Sequence, residues 1–517
     1  MAKRFIILLF IAAWLSGSAS GQRDHPRGRS FDAESHPVKH PEEQQTQYWV
    51  DKAQEKLLSK LAEAETQTAN TNKAKNVILF LGDGMSVHTV TATRNLLGDS
   101  AEQVYFEGFP YTGLSKTYCV NRQVADSACT ATAYLGGVKG NYGTIGVNGQ
   151  VPRYSCDGDA KEENQVLSIA QWAQAAGKDA GLVTTARVTH ASPAGVYAHT
   201  ADRNWENDWE VANRGCDPAQ TIDIARQLVE QPVGQRLKVI LGGGRQNFIN
   251  TTVNDEEGLP GLRTDGRHLI RQWLDQKRAA NESANYVWSR KGLGLVDLEH
   301  TDYLLGLFAN SHLPYNGDRD RKRSQLADPS LSELTEAAIK VLSRNQEGFF
   351  LFVEGARIDM AHHDTYARRS LEDTAEFARA VQKAREMTAE DDTLIVVTAD
   401  HAHVMSINGY PFRDQEITGL AQLADDNLPY TILSYANGPG YYSGYNRAEG
   451  RALLKEKTVA DADFRYPTLA PLDAETHGGD DVAVYASGPY AQYFSGNYEQ
   501  SNIPALMARA AGIGPYA

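Results

Sequence analysis

Short apolar runs break off abruptly into clusters of Gly, Asp, Glu or His, and they do so repeatedly along the chain. Val77-Ile78-Leu79-Phe80-Leu81 runs into Gly82-Asp83-Gly84, and Ala180-Gly181-Leu182-Val183 leads through Thr184 and Thr185 to His190-Ala191-Ser192. Phe349-Phe350-Leu351-Phe352-Val353 ends at Glu354, and Leu394-Ile395-Val396-Val397 runs on to Asp400-His401. Uninterrupted runs of this length suit strands buried on both faces. The pattern therefore predicts an α/β fold, a central and mostly parallel sheet with helices on both faces. In open sheets of this kind ligands bind outside the carboxyl ends of the strands, where each polar cluster falls. The clusters are expected to converge on one site.

Composition narrows the function classes. The 517 residues carry 51 Lys+Arg against 65 Asp+Glu, a formal net charge of −14. Basic residues cluster only in Arg319-Asp320-Arg321-Lys322-Arg323, so counterion release from a nucleic-acid backbone has no patch to act through, and nucleic acid is excluded as a partner. Four cysteines without CxxC spacing make neither a disulfide scaffold nor a structural zinc site. The apolar run Phe5 to Leu15, preceded by Lys3 and Arg4 and followed by small residues, is too short to span a bilayer. It fits a signal peptide over residues 1–20, which implies secretion and no transmembrane helix. Residues 21–47 are polar and almost without apolar side chains, as in a flexible tail. Residues 48–72 form a helical arm, with Trp49, Ala53, Leu57, Leu58 and Leu61 spaced to pack on the body or on a partner.

The polar clusters hold metal-ligand chemistry. Asp359 and His363 stand at i and i+4 and share a helical face on which they can grip one ion, while His362 points elsewhere. Asp400-His401-Ala402-His403 adds a second carboxylate and imidazole group, and Glu475-Thr476-His477 a third. Carboxylate and imidazole without cysteine suit catalytic zinc; Asp83 and Glu354, with no imidazole close in sequence, suit a harder ion such as magnesium. Asp126 and Ser127 precede a run of small, helix-tolerant residues, which places Ser127 at a helix N-terminus, either as a cap or as a nucleophile beside a metal. Arg203 offers a fork for phosphoryl oxygens. Taken singly, Asp83 reads as a turn residue and Arg203 as a surface ion pair.

Together these segments resemble the alkaline phosphatase family, and its animal branch more than its bacterial one. The motifs are Ile78-Leu79-Phe80-Leu81-Gly82-Asp83-Gly84-Met85, Val124-Ala125-Asp126-Ser127-Ala128, His190-Ala191-Ser192-Pro193-Ala194-Gly195 with Arg203, Val353-Glu354-Gly355 with Arg357-Ile358-Asp359, Thr398-Ala399-Asp400-His401, and Thr476-His477. The resemblance implies hydrolysis of phosphate monoesters through a phosphoserine on Ser127, with Arg203 clamping the phosphoryl oxygens. It implies a first zinc on Asp359, His363 and His477, a second on Asp83, Asp400 and His401, and one magnesium on Asp83, Ser192 and Glu354, with His190 behind it. It further implies a homodimer, a Cys156–Cys216 disulfide, and a core of residues 73–403 and 477–517 interrupted by a small crown-like insertion at 404–476. Cys119 and Cys129 flank Ser127 and could pair with each other. Asn250 and Asn281 begin glycosylation sequons.

Some positions depart from the family. Its calcium site uses a Phe-Glu pair, but Phe308 is followed here by Ala309, and Asp255 to Glu257 lie in a shortened segment, so calcium is not expected even though Asp328 remains. Met360 stands where many relatives carry His. Without a hydrophobic tail after Gly514-Pro515-Tyr516-Ala517, the expectation is a secreted enzyme, with a GPI-anchored form only if the sequence is truncated. A sulfatase would need a C/S-x-P-x-R motif, absent around Ser127, and a pyrophosphatase would use Thr. A mutase, or a non-catalytic glycoprotein keeping the fold as a binding surface, are the remaining competitors.

Overall fold

In the computed structural model the described residues are 40–66, 70–101, 103–157, 161–319, 328–446, 448 and 450–517. The expected signal peptide, most of the expected tail, and Asp320 to Arg323 of the basic stretch lie outside them. Each of the four apolar runs that end in polar clusters forms a strand: Asn76–Gly82 (β1), Asp179–Arg187 (β3), Phe349–Gly355 (β7) and Thr393–Ala399 (β8). With Tyr111–Lys116 (β2), Val239–Gly243 (β4), Ala284–Val287 (β5), Tyr303–Leu307 (β6), Val482–Ser487 (β9) and Gly496–Glu499 (β10) they build a 10-stranded sheet ordered β10-β2-β9-β8-β1-β7-β3-β4-β6-β5. β9 runs antiparallel to both β8 and β2, and the other neighbours are parallel.

Both faces of the sheet are buried, which is why the runs are continuous rather than alternating. Val77, Leu79 and Leu81 of β1 join a core on one side with Tyr134 of the helix Ser127–Gly136 and Met507 of Ile503–Ala511. Ile78 and Phe80 join the opposite core with Leu334 of Leu331–Leu342 and Phe377 of Ala367–Glu386. At about 1.5–3 kcal/mol for each fully buried aliphatic or aromatic side chain, the central strands give the site a firmly held floor.

Between β8 and β9 the chain leaves the sheet and returns. It forms a three-stranded sheet of Met405–Ile407, Leu433–Gly438 and Thr468–Pro471, and a strand pair of Leu420–Leu423 with Pro429–Thr431. This segment has its own apolar cluster, seated on Ala92, Ala367 and Leu371 of two core helices. Its ends are fastened where His477–Gly478 pairs antiparallel with Ala402–His403.

The N-terminal region differs from expectation in one way and narrows it in another. The chain is already structured before residue 48, because His40 pairs with Asp99, Glu43 with Arg413, and Pro41–Gln44 makes a 3-10 turn. The helix Thr46–Thr66 forms as its periodicity predicts, but Trp49, Leu57, Leu58 and Leu61 are at least half exposed, so its apolar stripe does not pack on the body of its own chain.

Candidate active site

β8, β1, β7 and β3 lie side by side and parallel, so their carboxyl ends open along one edge. Asp83 follows β1, Glu354 is the last-but-one residue of β7, Asp400 and His401 follow β8, and His190 and Ser192 follow β3. The turn after β1 needs glycine at position 84: its φ is +65°, and a Cβ there would lie 2.3 Å from Cδ2 of His403.

Two groups of ligand-type side chains result. In the helix Arg357–His363 the i, i+4 spacing sets His363 Nε2 3.3 Å from Asp359 Oδ1. The short ladder at residues 477–478 brings His477 Nε2 to 3.4 Å from the same oxygen and 3.1 Å from His363 Nε2. In the second group His401 Nε2 lies 3.1 Å from Asp400 Oδ2 and 3.5 Å from Asp83 Oδ1. The rings of His401 and His477 stack with centroids 3.5 Å apart, which joins the two groups. His363, His477 and His401 each turn Nδ1 to a backbone carbonyl, of Glu475, Ala125 and Ala402 respectively. That arrangement fixes the tautomer with Nε2 free for a metal.

The electrostatics of the cluster call for cations. Both carboxylate oxygens of Asp83, Oε1 of Glu354, Oδ2 of Asp400 and Oγ of Ser192 are buried without a hydrogen-bond partner. Each such group costs about 1–3 kcal/mol if left unmet, more when charged. Burial, followed by the charges of Asp400, Asp359 and Glu354, pushes the Asp83 carboxyl well up, and burial raises Glu354 to about 7. Burial would also raise Asp400, but the charge and hydrogen bonding of His401 outweigh it and hold it at about 2. Burial lowers His363 and His477, keeping them in the neutral form that ligates. Unmet oxygens and neutral imidazoles aimed at common points fit divalent cations.

Ser127 borders the second group, its Oγ 3.2 Å from His401 Nε2. The helix is capped by Asp126, whose side chain accepts from Cys129 N–H, so Ser127 is the first helical residue and its hydroxyl is not spent on capping. Asp126 also accepts from Gly143 N–H at 3.0 Å and from Arg203 Nη1 at 3.0 Å. One carboxylate thus ties the arginine to the residue beside Ser127. The other guanidinium nitrogen, Nη2, lies 3.3 Å from His190 Nε2. Burial, then the charges of Arg203 and Arg187, hold His190 well below its ordinary range.

All the sequence-predicted ligands, with Ser127 and Arg203, are therefore gathered in one place. Sequence reasoning missed three participants. Asp126 is the partner of Arg203 as well as a cap; Thr184 Oγ1 donates to Glu354 Oε2 at 2.5 Å; and His403 Nε2 lies 2.7 Å from Asp359 Oδ1 while its Nδ1 meets Glu475. His403 stands in the Asp400-His401-Ala402-His403 motif, and the short strand Ala402–His403 turns its ring to Asp359 rather than to the group that holds His401. Burial would lower His403, but Glu475 and Asp359 outweigh it and raise it to about 10.

The family model described as alkaline phosphatase matches residues 74–513. The chain belongs to the alkaline phosphatase family. A membrane-bound alkaline phosphatase of Bombyx mori is 48% identical over 95% of this chain and 90% of its own length. An alkaline phosphatase of Gadus morhua is 46% identical over 92% and 98%. The tissue-nonspecific isozyme of Homo sapiens is 42% identical over 91% and 90%. The fold matches alkaline phosphatases from the Antarctic bacterium TAB5, with TM-score 0.58 and 22% identity over 86% of this chain and 99% of that one, and from Thermus thermophilus, with TM-score 0.59 and 23% identity over 87% and 93%.

Other features of this family member lie outside the ligand groups. Cys156 is joined to Cys216 and Cys119 to Cys129, the latter beside Asp126. Asp255 and Glu257 are both engaged by the buried guanidinium of Arg245, so these acids already have a cation of the chain's own.

Proposed function

We propose that the chain hydrolyses phosphate monoesters to an alcohol and inorganic phosphate, with Ser127 as the nucleophile. In the first half-reaction Ser127 Oγ bonds to phosphorus as the ester oxygen leaves with a proton; in the second, water displaces the serine oxygen and phosphate departs. The observation that carries the reading is the Ser127 hydroxyl at a helix N-terminus, within 3.2 Å of His401 and beside carboxylate oxygens that have no counter-charge. Asp359, His363 and His477 would hold one zinc, Asp83, Asp400 and His401 a second, and Asp83, Ser192 and Glu354 a magnesium. Such ions supply Lewis-acid stabilisation of the attacking and leaving oxygens. Arg203, held by Asp126, binds the phosphoryl oxygens, and His190 lies behind the magnesium site. Phosphoryl transfer depends mainly on positioning and charge, which these groups provide.

The same reading takes the chain as secreted, with glycans on Asn250 and Asn281, and as a homodimer. Residues 404–476 and the uncovered stripe of the helix Thr46–Thr66 would face the second copy. The deciding assay is hydrolysis of p-nitrophenyl phosphate at alkaline pH, with and without chelator, for the native chain and for Ser127→Ala. Loss of roughly 10^3-fold or more in kcat is expected for the variant. A Ser127→Ala enzyme that still accumulated a phosphoenzyme would exclude the nucleophile.

A further inference from the structure

Glu475 belongs to none of the ligand groups assigned above, yet its side chain is fully buried and each of its polar atoms has a partner. Its Oε2 meets His403 Nδ1 at 2.5 Å and its Oε1 accepts from Val404 N–H at 2.8 Å. Its backbone N–H donates to His363 O at 2.8 Å, and its backbone carbonyl accepts from His363 Nδ1 at 2.5 Å. His403 has both nitrogens committed, Nδ1 to Glu475 and Nε2 to Asp359 Oδ1 at 2.7 Å, so it orients Asp359 rather than offering a lone pair of its own. One residue therefore sets the ring of His363 directly and the carboxylate of Asp359 through His403.

The burial of this carboxylate needs a reason. Among the described residues its ion pairs are with His403 and His363 only, with no lysine or arginine. A buried carboxylate costs several kcal/mol unless its partners are well placed. Its own backbone is held in turn. Asn437 clamps the next residue, donating to Thr476 Oγ1 and accepting from Thr476 N–H, each at 2.9 Å. Gly438 leaves room for the Glu475 side chain, since a Cβ at position 438 would lie 2.9 Å from Glu475 Cβ.

We propose that the Glu475 side chain is the positioning group of the first zinc centre, holding Asp359 through His403, while the backbone carbonyl of the same residue holds His363 where the inserted segment rejoins the core. The inference rests on the zinc assignment of the preceding section. Outer-shell partners of this kind are worth about 10–100-fold in metal affinity.

The test is a competition titration of zinc against a chromophoric chelator, with kcat and KM for p-nitrophenyl phosphate followed across free zinc, for the native enzyme and Glu475→Gln. The expected result is a 10–100-fold weaker affinity for one zinc per subunit, an unchanged second site, and kcat that recovers as free zinc is raised while KM stays near native. His403→Gln should give the same phenotype, and the double variant should be no worse than either single one. Native affinity at both sites in Glu475→Gln, or equal loss at both with no rescue by zinc, overturns the proposal. A native enzyme that binds no zinc at the Asp359 group overturns the zinc assignment instead. Should Glu475→Gln not fold, His403→Gln breaks the same connection from its other end and is read by the same criteria.

Discussion

Two regions of this protein bury several carboxylates close together, and they resolve the problem in opposite ways. Around Arg263, whose side chain is fully buried, Asp223 accepts at 3.0 and 2.9 Å and Asp265 at 3.1 and 2.5 Å, with Asp208 at 3.5 Å. The chain has placed its own cation at the centre. Around Asp83, Glu354 and Asp400 no lysine or arginine of the described residues forms an ion pair, and both oxygens of Asp83, Oε1 of Glu354 and Oδ2 of Asp400 have no hydrogen-bond partner. The difference teaches how to read a buried acidic cluster: partnered oxygens around an internal guanidinium are architecture, and orphaned oxygens around an open point mark a place for an external cation. A third outcome occurs at Asp373, a single buried carboxyl with an N–H from Asn316, which burial raises to about 7. There burial favours the protonated carboxyl, against the charge of Arg357.

Chelation tests this contrast most severely. Stripping divalent ions should abolish phosphatase activity by roughly 10^3-fold or more and lower the thermal midpoint, with restoration by zinc and magnesium. A chelated enzyme with full rate would mean that the orphaned oxygens are not metal sites. Arg203 borders the same cluster, and its pairing with Asp126 leaves Nη2 directed toward His190. Arg203→Ala should weaken inhibition by inorganic phosphate about 10–100-fold while leaving metal content unchanged, because its one carboxylate partner is Asp126 and not a ligand-type carboxylate.

Arg263→Met probes the other side of the comparison. Removing one partner of a buried charge network should cost about 3–5 kcal/mol in denaturant unfolding, with kcat of the folded enzyme and its metal content close to native. Loss of zinc in that variant would show that the two regions are not independent.

The effect most confined in pH is expected at Asp373. Its folded pKa, about 7, stands above the ordinary carboxyl value, so the fold binds its proton more tightly than the unfolded chain does. Its contribution is complete below about pH 4 and is lost as pH rises to about 7, an upper bound on the order of 4 kcal/mol. Asp373→Asn should flatten the pH dependence of unfolding over that window and stabilise the protein at pH 8, measured on chelated protein so that metal loss does not contribute. An unchanged profile would remove Asp373 as the third case.

Much of the site was legible before any coordinates. Asp359 and His363 share a face because the helical period places i and i+4 together, and the apolar runs became strands because only strands buried on both faces need them. Asp126 was legible as a cap but not as the partner of Arg203, which stands far along the chain and meets it only in space. His403 and Glu475 stood in quoted motifs, yet nothing local separates a ligand from the residue that holds a ligand. That distinction depends on which way each ring nitrogen faces.

The sequence by itself determined the parts: strand runs, ligand-type clusters at their ends, a serine at a helix start, and a family likeness dense enough to assign roles. Tertiary structure decided their assembly. The order β8-β1-β7-β3, which sets Asp400, Asp83, Glu354 and Ser192 on one edge, comes from hydrogen bonding between strands distant in sequence, and local periodicity carries no record of it. Which buried acids meet an internal arginine and which meet none is decided in the same way, because charge balance inside a protein is a property of neighbours in space.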